Sequence, residues 1–192
     1  MPDPFISRED LSDYLGRDVT ADDGALIAVD SACEIVRTIT EQDFNPATET
    51  VNLDGSGTDT ILLPQRPVRG AGTVVVNGGT LESDDYGFTE SGQLIRTDGT
   101  AVWSTWARYS QSAAYWPRGR QNVSVTYEHG YLAGTATDVP SDVRKVALNL
   151  AYRGITQGNL SAESLGQVSK TYAVGPDDLT ETEKLVLTKH RR

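Results

Sequence analysis

The hydrophobic period of this chain changes twice, and those changes constrain its fold more than any motif does. Apolar side chains recur at helical spacing near the N-terminus and again after Val139, while the stretch from about residue 48 to 130 consists of short β-rich runs bounded by turn signals. The order is helix, helix, β insertion, helix, extended segment, short helix. This predicts an α+β fold: a small helical bundle with an inserted antiparallel β module and an extended C-terminal arm ending in a short helix. Residues 1–47 and 131–164 are expected to form the helical core, 48–130 the β module, and 165–192 the arm and its terminal helix.

The helix ends are written in side-chain chemistry. Ser7 followed by Asp10 supplies acceptors for the first orphan N–H groups of a helix that Gly16 stops. A longer helix is expected from Thr20, with Asp22 and Asp23 near its positive end. Its stripe is Leu26, Val29, Cys33, Val36 and Thr40, with Arg37 and Glu41 spaced to pair on the outer face. Val143, Val146, Ala147, Leu150 and Ala151 give the clearest helical stripe, behind Pro140 in a first turn. Thr180 and Glu183 form a capping box for the last helix. In the β segment, Asp54-Gly55, Asn77-Gly78 and Asp98-Gly99 mark turns of a meander or small barrel of about five or six strands.

The chain's 192 residues are enough for one ordinary domain or a small core with an insertion, and its 38% hydrophobic and 23% charged composition is that of a globular protein. No apolar run approaches the roughly 20 residues of a membrane span. The opening MPDPFISRED lacks a basic-then-apolar leader, so a protein made and used in the cytoplasm, or one that leaves by another route, is expected. The net charge of -10 is unevenly spread: residues 1–47 hold eleven acids against three arginines, and residues 139–192 hold six acids against eight bases. Such a chain is not built to grip phosphate, but an acidic front and a basic rear suit subunits that meet through opposite patches.

Candidate chemical sites are weak. One cysteine and two histidines give no metal-ligand set, and no cofactor is expected. LDGSGTD lacks the ligand spacing of a calcium loop. Asp84 and Asp85 are adjacent and would point to opposite faces of a strand, which does not suit a catalytic carboxylate pair. There is no nucleophile elbow, phosphate loop or His-Glu-x-x-His pair, so an enzyme is not expected. Trp103, Trp106 and Trp116, with nearby tyrosines, offer an aromatic platform for carbohydrate as the alternative function, or a cover for the β module and a contact surface.

The ordered set of segments resembles the head-to-tail connector, or adaptor, proteins of long-tailed bacteriophages. The resemblance runs from ISREDLSDYLGRDV and LIAVDSACEIVRTITEQDF through ILLPQRPV, TVVVNGGTL and DYGF…GQLIR. It continues in WPRGRQNVSVTYEHGY and VPSDVRKVALNLAYRGI and ends in LGQVSKTYAV and LTETEKLVLTKHRR. It implies a structural virion protein at the capsid vertex, forming a usually twelve-fold ring beneath the portal protein. Such a ring extends the DNA channel and offers a platform to a stopper or tail-completion protein. A short terminal helix is marginal alone. Leu179, Thr180, Glu183, Lys184, Leu185, Lys189, Arg191 and Arg192 are therefore expected to dock on the portal or a neighbouring copy, which would supply the helix's stability. Asp10, Asp13, Asp22, Asp23, Asp30 and Glu34 are candidates for a negative wall along which packaged DNA slides without specific binding.

Overall fold

The computed structural model describes residues 3–97, 114–132, 138–157, 162–165, 168–171 and 178–191. The chain divides into two compact units, Met1–Asn45 with Leu132–Arg192, and Pro46–Tyr131.

The first unit is helical. Helix α1 (Arg8–Leu15) begins at Ser7, whose hydroxyl and the Asp10 carboxylate complete a reciprocal capping box, and it ends at Gly16 with φ +65°. Helix α2 (Asp23–Thr40) starts three residues later than expected, because Asp22 rather than Thr20 caps it by accepting from the Gly24 N–H. Its buried stripe is Ala25, Val29, Ala32, Cys33, Val36 and Thr40. Leu26, expected on that stripe, is 41% exposed, because Ala25 and Ala32 take the inward positions. The expected Arg37–Glu41 pair does not form. Glu41 leaves the helix in left-handed geometry with φ 56°, and Arg37 reaches Glu34 and Asp43 at 2.8 and 3.2 Å instead.

Helix α3 (Ser141–Gln157) buries all five residues of its expected stripe. It crosses α2 closely at Gly154, where a methyl group would stand 3.3 Å from the Ala28 Cβ. The arm expected to be extended from residue 165 carries β9 (Val168–Thr171), which pairs antiparallel with β8 (Ala162–Leu165) just before it. Helix α4 (Glu181–Lys189) follows, with both halves of the Thr180–Glu183 box in place.

The second unit carries seven antiparallel strands among the described residues: β1 (Ala47–Gly55), β2 (Thr60–Leu62), β3 (Val68–Val76), β4 (Gly79–Thr80), β5 (Tyr86–Phe88), β6 (Gln93–Arg96) and β7 (Gly119–His129). They form two sheets, ordered β1-β7-β3-β4 and β2-β6-β5. A simple meander is ruled out by β7, which inserts between β1 and β3; this pairing spans most of the unit's sequence and leaves no local signal. On β7, Val123, Val125 and Tyr127 point inward and meet Val68, Val74, Ile61, Leu94 and Tyr86 in one core shared by both sheets.

The Asn77-Gly78 turn joins β3 to β4 with positive φ at both residues, as two-residue hairpins require. Asp54-Gly55 is not a turn. The Asp54 carboxylate accepts the Gln121 N–H at 2.6 Å, the Gly55 N–H donates to the Asn122 Oδ1 at 2.8 Å, and β1 runs on to pair Gly55 with Gly119. Asp98-Gly99 lies outside the described residues.

Candidate functional site

The residues expected to act at the C-terminus fall on α4, and the structure divides them into an inner and an outer set. Glu183 and Leu187 face inward, and α4 touches both α2 and α3. The Arg153 guanidinium grips Glu183 at both carboxylate oxygens, at 3.0 and 3.1 Å, and also donates to the Asp178 carbonyl at 2.9 Å. The Asn149 amide adds a 3.2 Å bond to the same carboxylate, and the Thr180 N–H another at 2.9 Å. Burial alone would raise the Glu183 pKa, but the bonds from Arg153 and Thr180 prevail and hold it below the ordinary carboxylate value.

At the other end of α4, His190 and Lys189 lie 3.0 and 3.6 Å from Asp142 at the start of α3. Arg191 lies 2.6 Å from Glu41 just past α2. Burial would raise the Asp142 carboxyl, yet the His190 bond and the neighbouring positive charge hold it low. The last helix, expected to take its stability from the portal or a neighbouring copy, thus also has partners within its own unit. Leu187 is fully buried on the helix that packs against α2 and α3, and the cations meet acids placed at the ends of those helices. Lys184, too, has a local partner, Glu181 at 2.9 Å. Outward, Leu185 is 72% exposed, beside the largely exposed side chains of Lys184, Lys189 and Arg191. Leu179 is half-buried, and Arg192 lies outside the described residues.

The six acids named as candidates for a negative wall are likewise divided by local work. Asp10 caps α1 and pairs with Arg144, Asp22 caps α2, and Glu34 pairs with Arg37. Asp13 and Asp23 are exposed, and Asp30 is half-buried on α2. A helix N-terminus attracts carboxylates to its own N–H groups, which is why several of these acids sit where they do.

The aromatic platform is corrected as well. Trp116 is fully buried in the β core, its Nε1–H donating to the Asp59 carbonyl at 2.9 Å and its ring lying under Arg96. It presents no face to a sugar. Trp103 and Trp106 lie outside the described residues. Asp84 and Asp85 belong to a short 3-10 turn, where Asp85 approaches Arg96 at 4.0 Å. Among the described residues, no group of three or more His, Cys, Asp or Glu side chains is placed to hold a metal ion, and no helix is long and apolar enough to cross a membrane.

Sequence reasoning did not find Arg153, Asp142 or the Tyr14–Tyr152 pair, an edge-to-face contact at 6.1 Å with the Tyr14 hydroxyl donating to Asn149 at 2.7 Å. Arg153 lies one turn beyond Leu150 on the strongest apolar stripe. A long cation so close to a buried face was the available signal that an acid had to be supplied from elsewhere in the chain.

The molecule is thus a helical unit interrupted by an all-antiparallel β unit, closed by a terminal helix clamped ionically to its own bundle. That fold is shared by chains of phage-like particles. One, in the neck of a native gene transfer agent particle computed with C12 symmetry, aligns over 95% of this chain and 86% of that chain, with TM-score 0.57 and 12% identity. Another, in the neck of an empty gene transfer agent particle computed with C6 symmetry, aligns over 97% and 88%, with TM-score 0.59 and 13% identity. A third, in the virion of a native gene transfer agent particle, aligns over 100% and 91%, with TM-score 0.59 and 15% identity. The sequence matches no protein-family model and no curated protein sequence. The fold is therefore one found in the necks of phage-like particles, in line with the resemblance carried by the order of the sequence segments.

Proposed function

We propose that this chain is a structural, non-enzymatic neck component of a virion: a head-to-tail adaptor that forms a ring, twelve-fold by the resemblance, beneath the portal protein. In that position it extends the DNA channel and carries the stopper or tail-completion protein. The observation that carries this reading is the alignment of both units, over nearly the full chain, with neck chains from particles computed with C12 and C6 symmetry. The net charge of -10 fits a channel that DNA passes through, since a surface of like charge does not retain the phosphate backbone. Within this reading the outer face of α4 is the docking surface. Lys184, Leu185, Lys189 and Arg191 are exposed there, while Thr180, Glu183 and Leu187 hold the helix in place from within.

The test is incorporation into portal-bearing, DNA-filled capsids, followed by imaging of the neck. The full chain is expected as a ring directly under the portal. A Lys184→Glu, Leu185→Asp double variant, which leaves the Arg153–Glu183 clamp and the Asp142 contacts intact, is expected to join such capsids several-fold less well. A full chain that is found only on the capsid shell or at the distal tail would overturn the assignment.

A further inference from the structure

The helical unit exposes two large apolar side chains far more than its own packing requires: Ile27, 68% exposed, and Leu185, 72% exposed. Each stands opposite the buried stripe of its helix, Ile27 on α2 and Leu185 on α4. The helices α2, α3 and α4 each touch the other two, and these two side chains lie on the faces turned away from the buried stripes. The two patches also differ in the sign of their rims. Asp23 and Asp30 lie one turn to either side of Ile27, and Leu26 extends the apolar surface. Beside Leu185 stand Lys184 and, one turn on, Lys189, with Glu181 one turn before, so this rim carries two cations to one acid. The two lysine side chains stay 55% and 73% exposed despite their contacts with Glu181 and Asp142, so each ammonium can meet a second acid.

Resting on the reading of the chain as a ring former, we propose that Leu185 of one copy docks on Ile27 of the next, with Lys184 and Lys189 facing Asp23 and Asp30. Two different, mutually complementary patches on one chain define a heterologous contact, which repeats head to tail and closes into a ring when its rotation allows. A symmetric pairing of two Ile27 faces would instead bring like-charged rims together, which opposes association. The contact assigns a specific partner, a second copy, to the outer face of α4.

The measurement is native mass spectrometry of the full chain across a concentration series. Ile27→Asp and Leu185→Asp are each expected to weaken self-association by about tenfold or more. Their far-UV circular dichroism and melting should match those of the unaltered chain, because both positions are exposed. An equimolar mixture of the two variants is expected to yield a dimer and nothing larger, since one intact contact remains for each pair of chains. If both variants assemble as the unaltered chain does, or their mixture yields no dimer, this contact is overturned while the ring reading stands. An unaltered chain that stays monomeric at every concentration also overturns it, and the ring reading then depends on the capsid imaging alone.

Discussion

Two residues show how one side chain decides the behaviour of a much larger piece. Glu183 is held below the ordinary carboxylate pKa, and so is Asp142, each by cations or donors that favour the charged form over the opposing effect of burial. A carboxyl depressed in the folded state stabilises the fold above its unfolded value of roughly 4, and that contribution is lost as pH falls through the lower folded value. The helical unit is therefore expected to lose denaturant resistance steadily as pH drops below about 4. Glu183→Gln should flatten that dependence while lowering stability at neutral pH; parallel urea titrations across pH would reveal it. Arg153→Ala leaves Glu183 buried without its principal partner, and a loss of about 3 kcal/mol is expected at neutral pH. In the β unit, Gly55 is the sharpest position. A methyl group there would stand 1.8 Å from the Pro117 carbonyl oxygen, so backbone must move. Gly55→Ala should cost about 2 kcal/mol or more and broaden the resonances of β1 and β7 before those of the helices.

Among the elements, α4 depends most on its neighbours. Nine residues of helix have little stability by themselves, and here the capping box, one buried leucine and three sets of ion pairs supply the rest. Leu187→Ala is expected to cost about 3 kcal/mol, and Thr180→Ala about 1 kcal/mol through the lost cap. Hydrogen exchange should show both losses first as faster exchange of the α4 amides, with α2 and α3 still protected. A result in which α2 and α4 opened together would mean that α4 belongs to the same cooperative unit as the bundle. The cap of this helix was legible in the sequence, because a capping box spans three residues. Its seat was not, because Arg153 and Asp142 lie 30 or more positions away and nothing in the local pattern ties them to it.

At the scale of the whole molecule, the insertion is the feature with the clearest consequence. Its first and last strands pair Ala47 with His129, so the two ends of the β unit lie side by side, roughly 5 Å apart. Replacing residues 46–131 by a linker of a few glycines should leave a folded helical unit, because each unit has its own core. Retained helical circular dichroism with a cooperative melt would bear this out, and a molten product would contradict it. Taken by itself, the sequence determined what forms over short range: the Ser7 and Thr180 caps, the Gly16 stop, the Asn77-Gly78 turn, the α3 stripe and the switch from helical to strand period. Those features follow from contacts within about one helical turn or one hairpin, where residue order fixes which groups can meet. Only the tertiary structure decided that β7 lies between β1 and β3, that Trp116 is core rather than surface, and that the last helix rests on its own bundle. Each of those outcomes depends on groups far apart in sequence, whose encounter is set by packing and burial of the whole unit.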